Sequence, residues 1–309
     1  MTASADPAPQ PVSPVRFGRR RSSDPRRGTF WLLISPPAVL LALFLIVPVL
    51  LMIAVSFRAD LSGNLLALFT PTLKQYAQAF AGAGYWRVLG ISALTALIVA
   101  VVAVLTAYPV AYFLAFRAGK RASLYLILLL VPFWTSYLLR VMAWKLMLGE
   151  QGVVNEVLIG ARVINQPLDA LLYNRNAVIV TLIYVWIPFA ALPILAGLGR
   201  IDVRLHEAAA DLYGSPFQVF RRVTLPLSLP GVIAAFFMVF IPTVGEYVTP
   251  LLVGGTGGTM YGNLIQDFFT RAANWPIGAA LSIIMLTVTL GLVIVGLRIV
   301  DPRRFLERA

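Results

Sequence analysis

Residues 88–116 read VLGISALTALIVAVVAVLTAYPVAYFLAF and contain no charged side chain. A helix of about 20 apolar residues crosses the ~30 Å hydrocarbon layer of a bilayer, so this stretch is long enough to span a membrane. Five further spans are indicated, two of which contain charge: 30–57, 122–148, 177–199, 227–253 and 277–297. Because backbone polar groups must be paired inside lipid, the sequence predicts an all-α, polytopic membrane protein with six transmembrane helices.

The composition excludes a water-soluble globular protein. Of the 309 residues, 59% are hydrophobic and 12% are charged, whereas a typical soluble domain has about 25% charged residues. There is no cysteine and one histidine, which excludes disulfides, thiolate nucleophiles and iron–sulfur clusters and argues against a multi-histidine metal site. The net charge of +12 would suggest nucleic-acid binding in a soluble protein, but membrane topology explains it better here.

The distribution of lysine and arginine predicts the orientation of the chain. The loops and tails on one side of the six spans carry 17 of these residues, and those on the other side carry six. Positive charge near the ends of spans is retained in the cytoplasm. The sequence therefore predicts that both termini are cytoplasmic.

Three regions are predicted along the chain. Residues 1–29 are rich in Pro, Ser, Ala and Arg, which is typical of a disordered basic tail. Residues 30–300 are predicted to form the six-helix transmembrane domain, and 301–309 a cytoplasmic carboxy-terminal tail. The first apolar stretch is much longer than the core of a signal peptide, which has about 7–15 residues, so a retained signal anchor is favoured over a cleaved signal.

The cytoplasmic loop at 200–226, RIDVRLHEAAADLYGSPFQVFRRVTLP, carries the signals of two short helices. The first is amphipathic, with apolar side chains at helical spacing: Leu205, Ala208, Ala209 and Leu212. We expect Gly214 to end it and Ser215 to begin the second helix through an S-x-x-Q capping box.

Two interpretations of the first of these helices are open. It lies on the bilayer surface, or it docks on a soluble protein. Its apolar face is mostly alanine, which anchors weakly in lipid but permits close approach to a protein surface. The composition of the helix therefore favours docking.

The same loop resembles the EAA loop of the inner-membrane permeases of ABC importers, in which E-A-A is followed by a glycine and then by I-x-L-P. The matching residues are Glu207, Ala208, Ala209, Leu225 and Pro226. Val223 stands in the isoleucine position. Tyr213 occupies the glycine position and Gly214 follows one residue late, so we expect a displaced corner between the two helices.

This resemblance implies that the loop contains a coupling helix, which docks on an ATP-binding ABC subunit and transmits its closure to the membrane helices. The docking residues that it implies are Glu207, Ala208, Ala209, Asp211, Gly214, Leu225 and Pro226. It also implies a second, identical or homologous permease subunit and a periplasmic solute-binding protein that docks on the outer loops 58–87, 149–176 and 254–276. The implied location is the bacterial inner membrane.

Three further segments, 131–155, 240–255 and 274–282, are similar to spermidine/putrescine-type permeases. This similarity implies a polyamine such as spermidine or putrescine as the transported solute. Relatives of this subfamily carry opines, phosphonates and other small solutes, so those alternatives stay open.

Glu246 is the one carboxylate within a span, where a charge costs about 2.5–3.5 kcal/mol. Pro242, Gly245 and Pro250 surround it and predict an unwound stretch. One interpretation is that this stretch lines the translocation path and that Glu246 attracts a cationic solute. The other is a structural ion pair with Arg140 or with a charge of a partner subunit.

The candidate path residues are Trp134, Tyr137, Arg140, Glu246 and Tyr247. Treating the third span as one straight helix places Arg140 about 25 Å above Ser123, in the outer part of the bilayer, with Trp144 one turn away for a cation–π contact. Trp134, Tyr137, Val141 and Trp144 recur at helical spacing and form a mostly aromatic stripe on this span. The stripe either lines the path or has a structural role, in helix packing and in anchoring at the membrane interface. The structural interpretation is favoured.

Two other classes of protein are less consistent with the sequence. An ion-gradient-driven secondary transporter needs several ionisable groups near the midplane, and an integral-membrane enzyme needs a cluster of catalytic groups; neither set is visible. No Walker A pattern G-x-x-x-x-G-K-[ST] occurs. We therefore expect no catalytic residues, no cofactor and no metal, with His206 a lone polar group, and we expect another chain to hydrolyse ATP.

Overall fold

The computed structural model describes residues 25–59, 71–213 and 215–299. Residues 1–24, 60–70, 300–309 and Gly214 lie outside these ranges, and so do the predictions that concern them. Residues 25–29, which the sequence assigns to the disordered tail, are instead the start of the first helix. Within the described ranges every regular element is helical and no strand occurs. The all-α prediction is confirmed for this part of the chain.

Twelve α-helices are present in the described ranges: α1 (Pro25–Ser56), α2 (Lys74–Ala81), α3 (Ala83–Phe116), α4 (Ala122–Leu130), α5 (Tyr137–Leu148), α6 (Val153–Gly160), α7 (Arg175–Leu198), α8 (Val203–Tyr213), α9 (Pro216–Val219), α10 (Leu225–Val244), α11 (Tyr261–Thr270) and α12 (Trp275–Ile299). Five helical segments are long and apolar enough to cross a membrane: Leu32–Ser56, Ala83–Phe116, Arg175–Leu198, Pro216–Val244 and Trp275–Arg298. A sixth span is obtained when the bent pair Gly119–Trp134 and Tyr137–Gly160 is taken together.

The third span is not the straight helix that the sequence predicts. Its two halves meet at an angle of 85°. After α4 the chain forms a 3₁₀ turn that contains Pro132. Thr135 and Ser136, which follow it, are extended. The position of Arg140 derived from a continuous helical rise is therefore wrong, because the rise along α4 does not continue in α5.

The chain divides into two units, residues 1–50 and 51–309. In the first unit the described residues belong to the apolar helix α1. In the second unit α3, α7 and α10 pack against one another and form the main core. The α3 face in this core is lined by alanines, including Ala96, Ala100, Ala103 and Ala107, which are fully buried. Small side chains let membrane helices approach closely where hydrophobic burial does not drive association.

The closest approach between α7 and α10 is made by two glycines. A Cβ atom at Gly231 would lie 2.5 Å from the carbonyl oxygen of Pro193 and 3.2 Å from the Cα atom of Gly197. The two backbones are therefore in direct contact. Gly197 lies near the end of α7 and Gly231 near the start of α10, so the crossing is close to the loop that joins these helices.

A second apolar cluster joins α2, the start of α3, α11 and α12. The buried hydroxyl of Ser92 on α3 accepts a hydrogen bond from the backbone N–H of Tyr261 at 2.8 Å. Burial, with a smaller contribution from Tyr85, raises the pKa of Tyr261 to about 12, so its hydroxyl is neutral at physiological pH. Helix α11 is thereby held against α3 between the fifth and sixth spans.

Candidate coupling and translocation sites

The two short helices predicted in the loop at 200–226 are present as α8 and α9. After α9 the chain forms one π-helical turn, Phe220–Thr224, and continues directly into α10. The loop is thus built on the end of α7 and the beginning of α10, the two helices in closest contact.

The helix caps in this loop differ from those expected. The side chain of Ser215 makes no capping hydrogen bond, so the predicted capping box is wrong. Instead the Ser215 carbonyl oxygen accepts from the backbone N–H groups of Gln218 and Val219, and Pro216 at the first helical position needs no N–H partner. At the start of α8, Asp202 Oδ1 accepts from the Arg204 N–H at 2.9 Å, which the sequence analysis missed although aspartate is a preferred N-cap residue.

Helix α8 presents both charged and apolar side chains to its surroundings. Glu207, Ala208 and Asp211 are exposed, and so is Leu212, at 75%. Ala209 is buried. The exposed residues of α8 thus include both carboxylates and a leucine. Either interpretation of the helix is consistent with this exposure, and the carboxylates are groups that a soluble partner can bind.

The fifth span is broken where the sequence predicts it. Helix α10 ends at Val244, Gly245–Tyr247 are not helical, and a short helical segment begins at Val248 and includes the π-helical turn Pro250–Gly254. Glu246 Oε1 accepts hydrogen bonds from the backbone N–H groups of Val248 at 2.9 Å and Thr249 at 3.1 Å. The carboxylate therefore caps the second half of the broken span, a role that the sequence analysis did not assign.

The bend of the third span and the break of the fifth meet at Tyr137. Its hydroxyl forms a 2.6 Å hydrogen bond with the hydroxyl of Thr249, the residue whose backbone N–H donates to Glu246. The guanidinium carbon of Arg140 lies 5.8 Å from the centroid of the Tyr137 ring. On the other side of the break, Asn263 of α11 donates to the carbonyl oxygen of Tyr247 at 2.8 Å. Three of the five candidate path residues, Tyr137, Arg140 and Glu246, thus belong to one polar cluster.

Comparison with known proteins decides the family. Residues 17–305 match the family described as binding-protein-dependent transport system inner membrane component. This chain belongs to that family. Two relatives are the spermidine/putrescine transport system permease protein PotB of Haemophilus influenzae, 37% identical over 82% of this chain and 87% of the relative, and the PotB protein of Escherichia coli, 36% identical over 82% and 91%.

A more distant relative is a putative 2-aminoethylphosphonate transport system permease of Salmonella typhi, 25% identical over 49% of this chain and 52% of the relative. A crystal structure of a bacterial ABC transporter involved in alginate import shares the fold of the permease. It has a TM-score of 0.65 at 16% identity and covers 91% of this chain and 96% of that one. The chain is accordingly a multi-pass permease subunit of the inner membrane.

Arg140 of the permease is buried, with 8% of its surface exposed, and its Nε has no hydrogen-bond partner. Its guanidinium carbon lies 5.3 Å from the ring centroid of Phe133 and 5.8 Å from that of Tyr137. The predicted cation–π contact with Trp144 is wrong, because the bend places Phe133 over Arg140 and the Trp144 ring packs on Tyr184 instead.

Two further expectations for the path residues change. The ion pair found in the described ranges is Arg271 with Asp267, so the alternative in which Glu246 pairs with Arg140 of the same chain is not formed. Trp134 is 75% exposed and precedes the bend, so it does not continue one helical stripe with Tyr137.

In the described ranges no group of three or more His, Cys, Asp or Glu side chains is arranged to hold a metal ion.

The loop at 149–176, which the sequence predicts to lie on the outer side, is organised around a buried amide. Asn155 on α6 is fully buried; its Nδ2 donates to the carbonyl oxygen of Gly149 at 3.1 Å, and its Oδ1 accepts from the N–H of Leu168 at 2.9 Å. These bonds join the two ends of the segment that contains α6. The loop therefore has a defined shape of the kind that a docking partner requires.

Proposed function

We propose that this chain is the permease subunit of an ATP-driven importer for a polyamine of the spermidine/putrescine class. The observation that carries this proposal is the 36–37% identity, over 82% of the chain, to permeases named for spermidine and putrescine. In this proposal both termini and the loop at 200–226 face the cytoplasm, 1–29 and 301–309 are cytoplasmic tails, and 30–300 is the transmembrane domain. The excess of lysine and arginine on that side supports the orientation.

The solute path in this proposal passes the polar cluster at the two broken spans. Irregular backbone at membrane depth is tolerated where it lines a cavity or is covered by protein, and carboxylates there attract cations. Glu246 is held half-buried by two backbone N–H groups, and it forms no ion pair with a cationic side chain among the described residues. Tyr137 and the exposed ring of Tyr247 supply π-faces for an ammonium group.

ATP is hydrolysed by separate subunits that dock on the loop at 200–226. The exposed Glu207, Ala208 and Asp211 form the contact, and the buried Ala209 holds the helix against this chain. Leu225 and Pro226 end the loop, and Gly214 stays a member of the docking segment by sequence alone. The exposure of Glu207 and Asp211 on α8 supports this assignment. A second, homologous permease completes the path. A periplasmic binding protein delivers the solute to the outer loops, of which 149–176 is held by Asn155.

The test separates the charge of Glu246 from its capping role. Glu246→Gln removes the charge but keeps an amide oxygen that can accept from Val248 and Thr249, whereas Glu246→Ala removes both. In proteoliposomes that contain the complete transporter and its loaded binding protein, we expect Glu246→Gln to retain assembly and ATPase activity but to lose most uptake of radiolabelled spermidine. We expect Glu246→Ala to be less stable in addition, because two N–H groups lose their acceptor.

The control is Asp267→Asn, which neutralises an exposed carboxylate of α11 that is paired with Arg271 rather than with the break. It should leave uptake unchanged. Wild-type uptake by Glu246→Gln would refute the role of the charge. Uptake by this chain without any ATPase subunit would refute the importer itself and favour a gradient-driven transporter.

A second candidate solute class is favoured by one observation, the buried guanidinium of Arg140. It has no carboxylate of its own chain to pair with in the described ranges, and a buried charge without a counter-ion is costly. A solute that carries both an amine and an acid, such as an opine or an aminophosphonate, supplies that counter-ion. Competition of labelled spermidine uptake by putrescine and by 2-aminoethylphosphonate distinguishes the two classes, since only a true alternative solute competes.

A further inference from the structure

The segment that leaves the coupling loop packs against the second span. Phe220, the first residue of the π-helical turn, places its ring edge-to-face against two tyrosines of α3. The centroid of Phe220 lies 5.8 Å from that of Tyr108, at an interplanar angle of 85°, and 6.2 Å from that of Tyr112, at 76°. This is the geometry that aromatic pairs prefer. We call the three rings of Tyr108, Tyr112 and Phe220 the aromatic contact.

A hydrogen bond reinforces the aromatic contact about two turns after Phe220. The hydroxyls of Tyr108 and Ser228 lie 2.9 Å apart, and the Ser228 hydroxyl also donates to the carbonyl oxygen of Leu225 at 3.1 Å. Helix α3 is therefore bound both to the π-helical turn and to the start of α10.

The turn itself has the features of a segment under functional constraint. Val219 and Thr224 at its two ends are buried, and the Thr224 hydroxyl has no hydrogen-bond partner. Single π-helical turns are rare and frequently occur at functional sites. By contrast, Glu207 and Asp211 on the preceding helix are exposed. The loop thus has one part, α8, with side chains exposed for binding, and another part, the π-helical turn, that is packed on the membrane helices.

We propose that Phe220 is a positioning residue that transmits the displacement of the coupling loop to α3 and so couples ATP hydrolysis to solute movement. This inference rests on the proposed docking of an ATPase subunit on α8. Helix α10 follows the loop covalently, but α3 is far from it in sequence and receives the displacement only through side-chain contacts. Because α3 packs on both α7 and α10, a displacement of α3 repacks the core of the permease.

The experiment measures uptake per ATP hydrolysed in proteoliposomes that contain the complete transporter and its loaded binding protein. For Phe220→Ala we expect ATPase subunits to co-purify normally and ATP hydrolysis to continue, while uptake per ATP falls about fivefold, the lower range of a typical coupling between sites. Phe220→Tyr, which keeps the ring, should restore the ratio. A residue with a merely structural role would lower hydrolysis and uptake together and leave their ratio unchanged.

The matched control uses another edge-to-face pair on the same helix. Phe113 of α3 and Tyr125 of α4 have centroids 5.5 Å apart, and the ring contacts of Phe220 among the described residues are with Tyr108 and Tyr112 instead, so Tyr125→Ala should leave the ratio at the wild-type value. An unchanged ratio in Phe220→Ala, or an equal fall in Tyr125→Ala, overturns the proposal.

Glu207→Arg separates the two proposals. It should abolish co-purification of the ATPase subunit. If it does so while Phe220→Ala leaves uptake per ATP unchanged, docking on α8 stands and only the role of Phe220 is refuted. If Glu207→Arg leaves co-purification intact, docking on α8 is refuted, and the transmission through Phe220 is refuted with it.

Discussion

The contact between α7 and α10 gives a stability prediction whose size follows from the structure. In Gly231→Ala the new Cβ atom would lie 2.5 Å from the carbonyl oxygen of Pro193 and 3.2 Å from the Cα atom of Gly197. Both neighbours are backbone atoms, so no side-chain rotation relieves the overlap, and the two helices must separate. Overpacking of this kind costs about 1–3 kcal/mol. We expect the variant to unfold several degrees below the wild type.

The assay is thermal unfolding of the detergent-solubilised, assembled transporter, followed through a fluorescent fusion to this chain. Gly291→Ala is the matched control, because it makes the same change in α12, where nothing lies within 4 Å of the new Cβ atom. Alanine has the higher helix propensity, by about 1 kcal/mol in water, so the control should be as stable as the wild type or slightly more stable. Equal melting temperatures for the two variants would show that α7 and α10 are not in backbone contact.

Two further predictions concern side chains that hold loops in place. Asn155→Ala leaves the Leu168 N–H and the Gly149 carbonyl without their partner, at a cost of about 1–3 kcal/mol, and should make the outer loop at 149–176 more susceptible to limited proteolysis than in the wild type. Asp202→Ala removes the acceptor of the Arg204 N–H at the start of α8, which costs about 0.5–2 kcal/mol; we expect weaker co-purification of ATPase subunits, largely restored in Asp202→Asn.

Five of the spans could be predicted from the sequence because the length of an apolar stretch indicates whether it can cross a bilayer. The sixth is obtained only when the bent pair Gly119–Trp134 and Tyr137–Gly160 is counted as one span. The break at Glu246 could also be predicted, since Pro242, Gly245 and Pro250 lie within a few residues of each other. The bend at Thr135 could not. Prolines also lie inside uninterrupted helices of this chain, including Pro109 in α3 and Pro188 in α7, so one proline before the bend does not distinguish it from them.

Membership of the translocation path stays a prediction for all five candidate residues. Tyr137, Arg140 and Glu246 do belong to one cluster, but the partners of Arg140 depend on the angle between α4 and α5, which no local pattern encodes. The aromatic contact of Phe220 was missed for a similar reason. It joins residues more than 100 positions apart, and a single sequence contains no signal for such a pair.

The most direct test of the central claim is cross-linking from the coupling loop, because the chain contains no native cysteine and an introduced one is its single thiol. Ala208→Cys places that thiol on the exposed part of α8, and Ala170→Cys places it on the exposed outer loop. In inner-membrane vesicles that hold the whole transporter, a thiol-to-amine cross-linker should join Ala208→Cys to an ATPase subunit, with a yield that changes when ATP is added, and should not join Ala170→Cys to it. Capture of the ATPase from position 170, or its absence from position 208, would contradict the account.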